Sequence, residues 1–206
     1  MKYLLIPVFL LAVLLGCKDT QNQKQVLPSH SEASTGEKGN ELNSADYQEK
    51  GMEYAMAVQG TLGKTLQSEI QKSGIKEAIV FCKVEALPIT DSLSKKFGAS
   101  ISRISDKPRN PVNMAGAEEM KLISNYRTEL SQGQSPEGLV VRQDDRTNFY
   151  YPILTNNLCL KCHGAPGDDI RPDVLTILEE YYPQDQATGY SSNQLRGLWK
   201  VSFSEN

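Results

Sequence analysis

The chain has 206 residues, 39% hydrophobic and 23% charged, with a formal net charge of −3, four cysteines and two histidines. That length suits one domain plus a tail, and the acidic balance carries no electrostatic footprint for nucleic acid. The cysteines are too few for a disulfide scaffold, and the aliphatic content is enough for a core.

Lys2 gives a short positive start, and Tyr3 to Gly16 is then an uncharged run of 14 residues. A spanning helix needs about 20 residues, so the run reads as the apolar part of a secretory signal. It ends in Leu14-Leu15-Gly16-Cys17, which resembles a bacterial lipobox, with Cys17 the acceptor of a diacylglycerol and the new N-terminus; an uncleaved anchor is the alternative. Several acyl chains on one cysteine bury enough CH₂ groups for stable anchoring. The expected organisation is a lipoprotein signal at 1–16, a flexible linker at 17–45 and a folded domain at 46–206. The linker is rich in Gln, Asn, Ser, Lys and Glu, and His30 within it reads as a solvated linker residue. The expected location is the extracytoplasmic, periplasmic side of a bacterial membrane.

From Asp46 the pattern is helical. Ala55, Val58, Leu62, Leu66 and Ile70 recur on one face, and Gly74 supplies a stop. A second helix is predicted from Ile75 to Leu87, with Ile75, Ala78, Ile79, Cys82 and Ala86 on one face. Pro88 is expected to open a third, from Ile89 to Lys96. Ala99 to Ser105 reads as a short strand. Lys107 to Pro111 is irregular, because its two prolines fix their own backbones and restrict the residues before them. Ala115 to Leu130 is predicted helical. Leu139 to Arg142, then Phe149, Tyr151 and Ile153, then Leu195, Trp199, Val201 and Phe203 carry strand patterns. Asp173 to Tyr182 is an amphipathic helix. Helices first and strands last imply an α+β fold, an antiparallel sheet flanked by helices with a long N-terminal helix.

Cys159-Leu160-Lys161-Cys162-His163 is a C-x-x-C-H run, the pattern of c-type haem attachment. Two thiols at this spacing add across the vinyl groups of one haem edge, and the adjacent imidazole reaches the iron. Rival readings are a local disulfide, a thioredoxin-like redox pair lacking its βαβ context, and a zinc site lacking its second ligand pair. Candidates for the sixth iron position are Cys82, Met114, Met120 or a lysine. Cys82 reads equally well as a small hydrophobe in the core. Methionine raises the potential of a haem, whereas a thiolate stabilises ferric iron and lowers it.

Several stretches together resemble a known family. They are Ala78 to Ala86 (A-I-V-F-C-K-V-E-A), Arg103 to Asn113 (R-I-S-D-K-P-R-N-P-V-N), Tyr151-Pro152-Ile153, Cys159 to Gly164, Gly189-Tyr190, and Leu195-Arg196-Gly197-Leu198. In order and spacing they resemble the PAS-like haem-binding domain once listed as a domain of unknown function. That domain occurs as stand-alone cyanobacterial c-type cytochromes and as sensor regions of bacterial signalling proteins. The resemblance implies a PAS-like antiparallel sheet flanked by helices and one covalent haem c, with His163 and Cys82 as axial ligands. Arg109 is then expected to pair with a haem propionate, the alternative being a loop arginine that holds the turn through backbone carbonyls. Asn110 and Asn113 are expected to cap the turn and the following helix.

The function expected is a membrane-tethered mono-haem c-type cytochrome acting in electron transfer or redox sensing. The alternative is a haem-based gas or redox sensor, expected to signal through a partner protein. A peroxidase ranks last, because no second histidine of the folded region is free to act as a distal acid–base group. Expected partners are the membrane, through the lipid, and a redox or signalling protein, with a small gas as possible ligand and no nucleic acid.

Overall fold

The computed structural model describes residues 43–143 and 146–204. Cys17, His30, the signal and nearly all of the linker lie outside these residues.

The first helix, α1, is Ser44–Ser73. Asn43 caps it: Oδ1 accepts from the amides of Ala45 and Asp46, and Asp46 reaches back to the Asn43 amide at 2.9 Å. Gly74, at φ +96°, ends the helix as the sequence predicts, and α2, Ile75–Phe97, follows at once.

Here the structure corrects one expectation. Pro88 does not open a third helix; it lies inside α2. A mid-helix proline forfeits the bond to the carbonyl four residues earlier. That carbonyl belongs to Val84, and Val84 is 59% exposed, as Pro88 itself is exposed, so water can serve the freed group. Ala86 and Thr90 are buried on the opposite side, and Thr90 Oγ1 donates to the Ala86 carbonyl at 2.8 Å. Packing thus carries the helix through the proline.

Strand β1 is Ser100–Ile104, a 3₁₀ turn covers Pro111–Asn113, and α3 is Ala117–Ser131. Strands β2 (Leu139–Gln143) and β3 (Arg146–Leu154) precede two helices, α4 (Asn157–His163) and α5 (Pro172–Tyr181), and β4 (Leu195–Ser204) closes the fold. The sheet is fully antiparallel with order β1-β4-β3-β2. The chain is α+β, as the sequence pattern implies.

The long helices cover one sheet face, where Phe149, Trp199, Val201 and Phe203 pack with Tyr47, Ala55 and Val58. The other face carries Tyr150, Leu195 and Leu198 against Ile123 and Tyr126 of α3. Strand β3 is therefore buried on both sides from Thr147 to Tyr150 rather than alternating in and out. A third cluster joins Ile79 of α2 to Ile170, Val174 and Leu178. In β4 the expected single stripe is broken. Ile153 opposes Gly197 and Leu154 opposes Leu195, so Arg196 is an extra residue, a β-bulge. The bulge puts Leu195 on the α3 face, away from Trp199. It also requires a glycine: a Cβ on Gly197 would lie 2.4 Å from the Ile104 carbonyl oxygen.

Helix α1 approaches the sheet closely at Gly51, where a Cβ would lie 2.2 Å from Phe149 Cγ, whereas Gly60 faces open space. Gly51→Ala should therefore destabilise by about 1–3 kcal/mol through overpacking. Gly60→Ala should stabilise by about 0.5–1 kcal/mol through helix propensity. Urea unfolding of both variants checks the opposite signs.

Candidate functional site

The C-x-x-C-H run folds as α4, a helix that the sequence reading did not anticipate. Its signals are local. Asn156 caps the N-terminus, accepting from the amides of Leu158 (2.9 Å) and Cys159 (3.2 Å), and Gly164 stops it, donating to Leu160 at 2.8 Å. In a helix, positions i, i+3 and i+4 share a face. Cys159, Cys162 and His163 hold those positions, so one short helix presents both thiols and the imidazole together.

That face lines a cavity of about 380 Å³, a size typical of small-molecule sites. The walls are Leu62, Leu66 and Ile70 of α1, Ala78, Ile79 and Cys82 of α2, and the end of the sheet where β1 and β3 finish and β4 begins. The structure thus brings together Cys82, Arg109, Cys159, Cys162 and His163 around one space. Of the other sixth-ligand candidates, Met114 is 45% exposed and Met120 packs against the α3 core, and neither lines the cavity. Lys83 does line it, with Nζ 4.9 Å from the centre of the Tyr182 ring. All three described cysteines are free thiols. Among the described residues, no three His, Cys, Asp or Glu side chains converge as a ready-made metal site.

His163 is set as a neutral imidazole. Its Nδ1 lies 2.7 Å from the Ala187 carbonyl oxygen. A carbonyl only accepts, so Nδ1 carries the hydrogen and Nε2 keeps its lone pair. Burial pushes the imidazole well below its usual range, and the guanidiniums of Arg109 and Arg196 push the same way. The backbone reinforces the placement, with Tyr190 N donating to His163 O at 2.9 Å and Gly189 N to Gly164 O at 2.8 Å.

Arg109 is the keystone of this arrangement. Its Nε pairs with Asp185 Oδ2 at 3.0 Å, and Nη2 donates to the carbonyls of Cys162 and, at 3.4 Å, Ala187. The other Asp185 oxygen accepts from the Ala187 amide at 2.8 Å. Arg109 therefore holds backbone carbonyls, the role weighed against propionate pairing. Asn110 caps the 3₁₀ turn as expected, accepting from Val112 N. Asn113 does not cap α3. That helix starts after Gly116, whose amide donates to Glu119 at 2.7 Å.

Cys82 is half-buried, and burial raises its thiol above the usual value while Arg103 and Arg109 oppose the rise. Burial likewise raises Cys162. Three contributors escaped sequence reading: Asp185, the Ala187 carbonyl and the guanidinium pair of Arg103 and Arg196. Arg103, Arg196 and the Gly189-Tyr190 pair fall within the family stretches, but nothing in the sequence separates their roles.

The sequence profile of the Tll0287-like family matches residues 20–204. The crystal structure of the cyanobacterial heme-protein Tll0287 superposes with a TM-score of 0.55 at 17% identity, covering 80% of this chain and 98% of that one. No curated protein is a significant match.

The side chains of Arg109 and Asp185 are only 13% and 11% exposed. Asp185→Asn leaves a buried guanidinium without its counter-charge and should cost about 3 kcal/mol. Urea titration of the variant measures that loss.

Proposed function

The chain belongs to the Tll0287-like family of PAS-like haem-binding domains, and from that premise we propose that it is a mono-haem c-type cytochrome with His163 and Cys82 as axial ligands. The observation that carries the reading is the convergence of Cys159, Cys162, His163 and Cys82 on one cavity. The donor set fits the group: two thiols for the vinyl edge, a neutral imidazole with Nε2 free, and a third thiol on a different helix. A haem bound here supplies a one-electron ferric/ferrous couple.

The chain's own residues do the rest. Cys159 and Cys162 fix the group to α4. The Ala187 carbonyl orients His163 and raises its basicity as a ligand. Arg109 and Asp185 hold the segment that carries Ala187. The aliphatic wall from α1 and α2 excludes water, which keeps the site's dielectric low. Cys82 supplies negative charge, so the couple should lie low in potential.

Low potential suits electron transfer or redox sensing, and we favour the carrier or sensor over a catalyst. No histidine besides His163 lies among the described residues, so a distal imidazole is lacking there. Among the described residues no helix is long and apolar enough to cross a membrane. We propose that Cys17 carries the lipid and that residues 17–45 tether the domain on the extracytoplasmic side, where a redox or signalling partner is met.

Four measurements test this. Pyridine haemochrome should report a c-type haem that resists acid–organic extraction, and the Cys159→Ser/Cys162→Ser variant should release it; an extractable or absent haem in the native protein ends the reading. Cys82→Ala should alter the ferric spectrum and raise the midpoint potential, while an unchanged spectrum returns Cys82 to a packing role. Carbon monoxide binding to the reduced protein favours the sensor over the carrier. Cys17→Ser should move the protein from the membrane to the soluble fraction.

A further inference from the structure

Three guanidiniums line the cavity, and they differ in what holds them. Arg109 is matched by Asp185. The side chain of Arg103, on β1, has neither a hydrogen bond nor a carboxylate partner among the described residues; its contact is the face of Trp199, whose centre lies 5.7 Å from Cζ. Arg196, at the β4 bulge, donates from Nη1 to Ser105 Oγ (2.9 Å) and the Lys107 carbonyl (3.0 Å), both neutral. Its Nε is buried with no acceptor.

The lining contains Lys83, Arg103, Arg109 and Arg196 but no Asp or Glu among the described residues. Buried charge without a partner is costly, and proteins arrange counter-charges or ligands for it. Burial lowers the affinity of both guanidiniums for their protons, and Arg109 and Arg103 repel Arg196 further. Both residues stand at the same end of the sheet, because β1 and β4 are paired there and Ile104 opposes Leu198.

We propose that Arg103 and Arg196 form a two-cation subsite for a dianionic ligand edge, the paired propionates of the haem, while Arg109 is the clamp that positions His163. This rests on the haem reading above. Lys83 is exposed to solvent, and among the groups inside the charges balance: a ferric porphyrin core carries one positive charge and a thiolate ligand one negative, so two carboxylates remain to offset the two guanidiniums. Adding an electron makes the site net negative by one, a change the guanidiniums favour. Removing either therefore stabilises the ferric form.

The test uses the full-length, haem-loaded protein. Arg103→Gln and Arg196→Gln should keep their haem by pyridine haemochrome. Each should lower the ferrous-to-ferric ratio at fixed potential by about tenfold, which is a 59 mV fall for a one-electron couple. Arg103→Lys should restore most of the potential. Gln variants with full haem and unshifted potentials would overturn the proposal and leave the haem reading intact, whereas a native protein without haem would overturn the reading itself. Should the Gln variants fail to mature, Arg103→Lys and Arg196→Lys decide: the resonance Raman propionate bending bands should shift in both, and unchanged bands sink the proposal. A native potential that follows phosphate concentration at constant ionic strength would assign the guanidiniums to a free anion instead, and equally overturn it.

Discussion

The ion pair of Arg109 with Asp185 joins two loops separated by 76 residues of chain, and the cavity depends on that junction. Neither loop is regular structure. The Lys107–Pro111 stretch is stiffened by proline, and the 185–190 stretch has no strand to pair with. Each becomes defined only against the other: Gln186 N donates to the Pro108 carbonyl at 3.1 Å, and Arg109 reaches the carbonyls of Cys162 and Ala187. Through Ala187 the junction sets which ring nitrogen of His163 bears hydrogen. An electrostatic contact between side chains thus becomes a tautomer choice at an imidazole that does not touch the carboxylate.

The surroundings divide by polarity. Aliphatic side chains from α1 and α2 form one wall, with the exposed Lys83 of α2 at its edge, and cationic side chains from β1, β4 and the proline loop form the other. A flat, apolar ligand with acidic groups at one edge matches such a division, and a soluble metabolite with charge all round does not. Burying that many cations without carboxylates would be unfavourable in an ordinary core, which is why the asymmetry reads as a binding property and not as packing.

Much of this was legible in the sequence. The apolar stripes of α1, α2 and α5 and the strand pattern near Trp199 gave the elements and the α+β class. Pro88 carries the local signature of a helix boundary, but its solvent-facing position lets tertiary packing override it. β3 misled because alternation assumes one wet face, and α3 removes it. The thiols and His163 were visible as a motif, but their shared helical face depended on two capping residues, Asn156 and Gly164, that look like ordinary loop composition. Arg103 and Arg109 were indistinguishable in sequence. What separates them is whether a carboxylate from distant chain reaches them, a long-range fact that no local pattern encodes.

The position of α4 along the chain adds a consequence in time. A seven-residue helix does not persist alone in water. Arg109 precedes it in the chain, but its partner Asp185 and the other residues that lock the helix, Ala187, Gly189 and Tyr190, all lie C-terminal to it. A polypeptide that emerges N-terminus first therefore exposes Cys159, Cys162 and His163 as open chain before it contains the segment that immobilises them. The interval between those two moments is a built-in window in which both thiols are reachable from outside, and the docking of residues 185–190 ends it.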